Sequence, residues 1–402
     1  MYRNVDNSVF LSHCLFTSTK TTNYLLNIQG VQNVYVRDIE CKNSITKQGF
    51  LMLSKVNKLL VQRSKFMENK GGFSIIYSQA VTFVNCSFIR NTAYNSALSI
   101  SNSYYVAIEN CYFEGNNVHL GGLRIEQTSS VTIENCHFER NSAKYGGAVY
   151  LQYSNVLVIS CNFVENEAEK TGGSFYAFGN TEMILKVSQS SFRRGFAEVG
   201  GTFSVEGCDL VLNSSFIKEN TAKLGVGGIH MMSTKIDKVA ATICNSVLLN
   251  NSVAALYIRV STIILKNITL FATSDIANSH INIVGDNVVL DSIHANLKYP
   301  KSPQSNIIQI LMIVNSRDST FPRIEMTIAC SPHFFVETQS VSPSNNPGRV
   351  LMIKCSTCHP NQYNFQNIRR INDIRGFQKR SECKPCPSGA VCNGIVRVLD
   401  SV

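Results

Sequence analysis

The chain has 402 residues and a formal net charge of +10, with only 16% charged residues and no tryptophan. Its abundance of Asn and Ser argues against a helical enzyme and fits a solenoid of short strands, which grows by addition and needs no second core. The charge does not call for nucleic acid: Lys and Arg are spread out, and their one concentration, "RRINDIRGFQKR" at 369–380, accompanies no nucleic-acid-binding motif.

The start, "MYRNVDNSVFLSHC", lacks the apolar core of a secretory signal and runs straight into a strand pattern. No window holds 18 consecutive apolar residues, and the best run is "ILMIV". From Cys14 onward one frame recurs. Its aligned positions are Cys14, Ile39, Ser64, Cys86, Cys111, Cys136, Cys161, Ser190, Ser214, Ser246, Ile268 and Ser292, with four cysteines in a row spaced by 25 residues. A period of that size over most of a chain means stacked supersecondary units.

Each unit opens on a period of two: Val106 and Ile108, Val131 and Ile133, Val156 and Val158, with polar or small residues between most of them. That alternation of β-branched residues predicts a strand with one buried face. Asn135 follows as a residue that tolerates left-handed backbone angles, and then come Cys136 and Phe138 on one face. Phe138 and Asn141 form an FxxN, repeated as Phe66/Asn69, Phe88/Asn91, Phe113/Asn116 and Phe163/Asn166. Glycine pairs at 71–72, 121–122, 146–147, 172–173, 200–201 and 227–228 then start a second strand, such as "AVYL". Such a unit cannot bury its apolar face alone. Stacked about 4.8 Å apart, copies form parallel sheets with ladders of like residues. A leucine-rich repeat has a similar length but needs Leu-rich columns and a helix or turn opposite the strand. The fold class expected is all-β: a right-handed, single-stranded parallel β-helix of about a dozen coils over residues 1–335.

The tandem FxxN and GGA[ILV] motifs over roughly residues 5–335 resemble those of the chlamydial polymorphic outer-membrane proteins. They are more similar still to the long pectin-lyase-like transmembrane proteins of ciliates and other protists. That resemblance implies an extracellular β-helix ectodomain on a membrane-anchored surface protein, followed by a cysteine-rich module. It is specific for fold and much less so for function. With no cap over the first coil and an abrupt end, the chain reads as a fragment whose membrane attachment lies in segments outside it.

Eight of the fourteen cysteines lie between 14 and 244, where an inward ladder position also accepts Ile39; they read as small buried apolar residues. N-glycosylation sequons stand at Asn85, Asn213, Asn250 and Asn267. Asn85 and Asn213 are expected to be hidden in the ladder, which leaves Asn250 and Asn267 as the better acceptors. On the second strand, Leu98, Val149, Phe175, Phe203 and Tyr257, with Arg124 and His230, are read as an outward stripe that could contact glycan chains by stacking. A neighbouring loop covering that stripe is the plainer reading.

Residues 336–350, which include "SPSNNPGR", read as a linker. Residues 351–402 then form a small module. Cys330, Cys355, Cys358, Cys383, Cys386 and Cys392 give two CxxC pairs separated by 24 residues, a spacing that also admits a zinc ribbon. The "CKPCPSGAVC" context is similar to growth-factor-receptor-like and ephrin-receptor-like repeats. That resemblance implies disulfides, which should run between the CxxC pairs, in a truncated module.

The parallel β-helix also carries polysaccharide lyases and glycoside hydrolases, and this is the alternative function. Such chemistry needs paired carboxylates, or acidic residues that hold Ca2+ beside a base. Glu109 and Glu134 share one outward column, as do Glu114 and Glu139, but Arg90, Arg140 and Lys144 lie close by, so a solvated charged face is expected. No HExxH, GxSxG or phosphate-loop motif is present. The expectation is a non-catalytic structural, adhesive or recognition domain, with no catalytic residue, metal or cofactor, whose partners are glycans or other surface proteins. A zinc-linked intracellular scaffold is a third reading.

Overall fold

The computed structural model describes residues 7–46, 49–233, 239–252, 254–272 and 281–297, with separate strands and cysteines between 310 and 398. The alternating stretches are strands: Val106, Ile108, Val131, Ile133, Val156 and Val158 are buried, while Ala107, Thr132 and Leu157 between them face out. Each strand pairs in parallel with its counterpart one coil away, as Val106 with Val131 and Val131 with Val156. Parallel pairing requires a long crossover. Here the crossover is the remainder of the coil, and about eleven coils follow one another.

Three sheets run along the stack. The largest combines the alternating strand of each coil with the short strand carrying the FxxN phenylalanine; a second sheet follows the glycine pairs, and a short third sheet lies between. The core fills the space they enclose. Phe88, Phe113, Phe138, Phe163 and Phe192 are fully buried and stack face to face, with centroids 4.7–4.9 Å apart. That spacing is the distance between hydrogen-bonded strands, so one geometry satisfies the backbone and the rings together. Phe175 and Phe203 from the second sheet close over the column edge-on or tilted.

Asn69, Asn91, Asn116, Asn141 and Asn166 form a buried amide ladder beside it. The Asn116 backbone N–H and Nδ2 both donate to Asn141 Oδ1, at 3.2 and 2.8 Å, and Nδ2 also donates to the Phe88 carbonyl at 2.8 Å. The same set repeats one coil on, from Asn141 to Asn166 Oδ1 and the Phe113 carbonyl. From Asn69 to Asn141 each amide thereby uses both of its donors and its acceptor, and Asn166 donates to the Phe138 carbonyl. At Gly195 the side chain is missing, and the Gly195 N–H donates to Asn220 Oδ1 at 2.8 Å.

The repeat frame needs two shifts of one residue. Ser215 occupies the inward ladder site, receiving the Ser190 N–H and donating its own N–H to Ser246 Oγ, whereas Ser214 is exposed in the turn with φ 48°. In the last described coil Ile293 is buried and Ser292 takes the turn, with φ 56°. Serine is found at both the turn and the inward site, so residue type alone cannot separate them. The same left-handed turn holds Asp38, Arg63, Asn110, Asn135, Ser160 and Gln189. It is imposed by the stack and not reserved for Asn, although non-Gly residues other than Asn or Asp pay about 1–2 kcal/mol there.

The segment expected as a linker is different. Phe335–Val341 and Arg349–Ser356 are strands paired antiparallel, and Arg349–Ser356 also pairs antiparallel with Ile310–Val314 at the end of the second sheet. Ile368–Ile371 likewise pairs antiparallel with Ile324–Cys330 of the first sheet. Much of what the sequence assigns to linker and module is therefore sheet. The apolar run "VLMIK" that begins at Val350 continues the solenoid edge; most of "SPSNNPGR" lies outside the described residues.

Candidate functional site

The second sheet corrects the expected stripe. Leu98, Val149, Phe175 and Phe203 are 0% exposed and stand in one inward column with Leu123, Ile229 and Leu256. Arg124, His230 and Tyr257 belong to the adjacent outward column, together with Tyr150, Tyr176, Ser204 and Asn282. The expectation mixed the two faces of one strand, an error of one residue that turns a side chain from solvent to core. The signal was present: Val149 and Leu151, or Phe175 and Ala177, alternate with Tyr150 and Tyr176.

Along the corrected column the side chains differ in their partners. Arg124 is hydrogen-bonded through Nε to Glu126 at 2.8 Å. The Tyr150 and Tyr176 rings lie tilted against each other at 5.6 Å, and burial raises the pKa of both phenols. Burial also pushes the Glu206 carboxyl up and holds His230 below its ordinary value. The His230 ring stacks on Tyr257 at 5.2 Å. Ser204, His230 and Asn282 each present a buried side-chain atom, Oγ, Nδ1 and Oδ1, without a hydrogen-bond partner.

The carboxylate columns stand as expected, Glu109 beside Glu134 and Glu114 beside Glu139. Glu139 is engaged: it meets the Tyr112 hydroxyl at 3.1 Å, His137 Nε2 at 3.0 Å and Arg140 at 2.9 Å. The hydrogen bond from His137 leads in holding its pKa down. Burial, with help from Glu139, lifts Tyr112 to about 12. Arg140 and Arg194 both bind Glu165, which extends an ion-pair network over this face.

Asn267 is exposed, and its amide donates to Asn245 Oδ1 at 3.0 Å; Asn250 is half-buried in a left-handed turn. Asn85 and Asn213, expected to be hidden, are exposed. Asn85 is the turn residue itself, with the following Cys86 buried, whereas Asn213 ends its strand just before the exposed turn residue Ser214.

All eight cysteines between 14 and 244 are free, six of them buried. Burial pushes the Cys41 and Cys208 thiols up to about 12. Thiol alkylation of the folded protein should spare Cys86, Cys111, Cys136 and Cys161 and reach all four in denaturant; ready labelling without denaturant would contradict the ladder. In the terminal region Cys358 is bonded to Cys383, a bridge between the two CxxC pairs that removes a four-thiolate zinc site. Cys386 is also disulfide-bonded. The side chains of Cys330, Cys355 and Cys392 lie outside the described residues.

The chain folds as a right-handed parallel β-helix. Residues 2–120 match a family model described as a right-handed β-helix region. No curated protein matches the sequence. Among solved structures, the chain is similar to tailspike protein 3 of bacteriophage CBA120, at 12% identity and a TM-score of 0.36, over 79% of this chain and 51% of that one. It spans about half the length of that tailspike. It is also similar to PfbA, a surface adhesin of Streptococcus pneumoniae, at 10% identity and a TM-score of 0.38, over 92% of each chain. No described helix is long and apolar enough to cross a membrane.

Proposed function

We propose that the chain is a non-catalytic recognition scaffold, displayed outside the cell as part of a longer, membrane-anchored surface protein. The observation that carries this reading is the outward column of the second sheet. It presents Arg124, Tyr150, Tyr176, His230 and Tyr257 at the fixed pitch of the strands, on a backbone locked by buried ladders. Such a row is organised in advance for an extended partner, which lowers the ordering cost of binding. The disulfide between Cys358 and Cys383 supports an oxidising compartment. The resemblance of the FxxN repeats to protist surface proteins supports the membrane attachment.

Against catalysis stands the engagement of Glu139 in the Glu114–Glu139 pair and of the carboxylates near it, while Glu109 and Glu134 are left to the test by substitution. Glu139 and Glu165 are held by Arg140, and Glu126 by Arg124, so each is committed to a cation on its own surface. A hydrolase or lyase needs carboxylates free to face a bound sugar. Incubation with polygalacturonate, with and without Ca2+, is expected to give no new reducing ends or unsaturated products. Turnover that disappears in Glu109→Gln or Glu134→Gln would establish the enzyme alternative instead.

A further inference from the structure

The glycine pairs define a feature that the column alone does not show. Gly121–Gly122, Gly146–Gly147 and Gly172–Gly173 form the corner between the third and second sheets, and all six residues are buried. The corner has no side chains of its own, and rings from the two sheets meet across it. Tyr94 stacks on His119 at 5.8 Å, His119 meets Tyr145 at 6.5 Å, Tyr145 meets Tyr176 at 5.7 Å, and Tyr176 meets Tyr150 at 5.6 Å. The five rings in unbroken contact thus span four coils: Tyr94, His119, Tyr145 and Tyr176 step one coil at a time, and Tyr150 lies in the coil of Tyr145. Tyr94, at one end, is 86% exposed.

That end opens into a cavity of about 370 Å3, within the range of small-ligand sites. Its walls include Ser74, Thr92, Asn95 and Ser99, with Lys70 as the one charged lining residue and no carboxylate. At the other end, beside Tyr176, stands Ser204, fully buried with an unpartnered Oγ.

We propose that this corner is a binding track for a neutral glycan, which rests on the recognition reading above. A sugar ring has an apolar C–H face bordered by hydroxyls. Aromatic faces take the first, and Ser, Thr and Asn side chains take the second. The ring-to-ring steps of 5.6–6.5 Å follow a polymer whose repeat is itself a ring. Charge selects little here: Lys144 lies over the Tyr145 ring at 5.5 Å, Arg124 is occupied by Glu126, and Glu206 flanks Tyr176. The cavity receives one end of the chain and the rings carry the following sugars.

The test titrates the whole chain with neutral gluco-, manno- and galacto-hexasaccharides and with a uronic-acid hexasaccharide, read by calorimetry. The protein has no tryptophan, so its intrinsic fluorescence reports the tyrosines as a second signal. A neutral hexasaccharide is expected to bind and to quench or shift that emission. The Tyr145→Ala/Tyr176→Ala double variant should weaken binding about tenfold or more, with circular dichroism and melting unchanged. Tyr94→Ala, at an exposed position that cannot disturb the core, should weaken it less. Tyr35→Ala, on the first sheet, should leave it intact. Binding of the uronic-acid chain alone, no binding of any hexasaccharide, or undiminished binding by the double variant overturns the track. Shortening of a bound hexasaccharide, seen by mass spectrometry, overturns the non-catalytic reading and leaves the track standing.

Discussion

Asn141→Ala is expected to destabilise the protein by about 3–5 kcal/mol, far beyond the loss of a single hydrogen bond. The substitution removes the acceptor for both the Asn116 N–H and Asn116 Nδ2, and the donor to the Phe113 carbonyl. Asn166 Oδ1 loses one of its two donors as well. These groups are buried, so water cannot replace the partner without opening the stack, and each orphan costs about 1–3 kcal/mol. Asn141→Asp should be no better, because it keeps the acceptors but discards both donors and buries a charge. Urea unfolding followed by far-ultraviolet circular dichroism measures the effect. A change under about 1 kcal/mol would mean that the ladder is ornamental, and that the phenylalanine column alone fixes the register.

Gly147→Ala should lose a comparable amount, about 3 kcal/mol, by a different mechanism. A Cβ on Gly147 would lie 2.4 Å from the carbonyl oxygens of both Glu167 and Gly173, which belong to the next coil's backbone. No side-chain rotation relieves that overlap; the coils themselves must separate. Gly115 is the control. Its left-handed φ of 60° makes alanine strained there by about 1 kcal/mol, but the nearest atom to an added Cβ is the flexible Arg90 side chain at 3.4 Å. Melting curves for the two variants should therefore separate clearly. Equal losses would show that backbone conformation, not the close approach of coils, is what the paired glycines serve.

The columns that could be read from the sequence are those where one residue type does one job. Phe88 to Phe163 and Asn69 to Asn166 recur because an inward ring and a buried amide ladder each tolerate little else. The cysteine column was legible for the same reason, until serine entered: Ser214 and Ser215 suit the turn and the inward site equally, and only the hydrogen bonds to Ser190 and Ser246 decide. The candidate site was half legible. Arg124, His230 and Tyr257 came from the sequence, whereas Tyr150 and Tyr176 needed the strand register that follows the glycine corner. The contact of Tyr176 with Tyr145, and through it with His119, could not be read at all, since it joins different coils across a corner whose angle the repeat does not encode. The end of the solenoid was misjudged because its last described strands pair antiparallel, a change of direction with no periodic signature.

The strict alignment of Tyr112 with His137 and of Phe113 with Phe138 also governs how this protein can change in length. Residues 112–136 make one full circuit of the stack, beginning and ending at equivalent points of the frame. Excising them joins Cys111 to His137 and returns every column to its place, with one storey fewer and the remaining interfaces of the same kind. Losing a single residue from the strand Ser130–Glu134 instead turns its remaining inward side chains outward against two intact neighbours. Changes in length are therefore confined to whole storeys and to the turns, where equivalent ladder positions lie 22 residues apart in one coil and 31 in another, while the strands themselves keep their length.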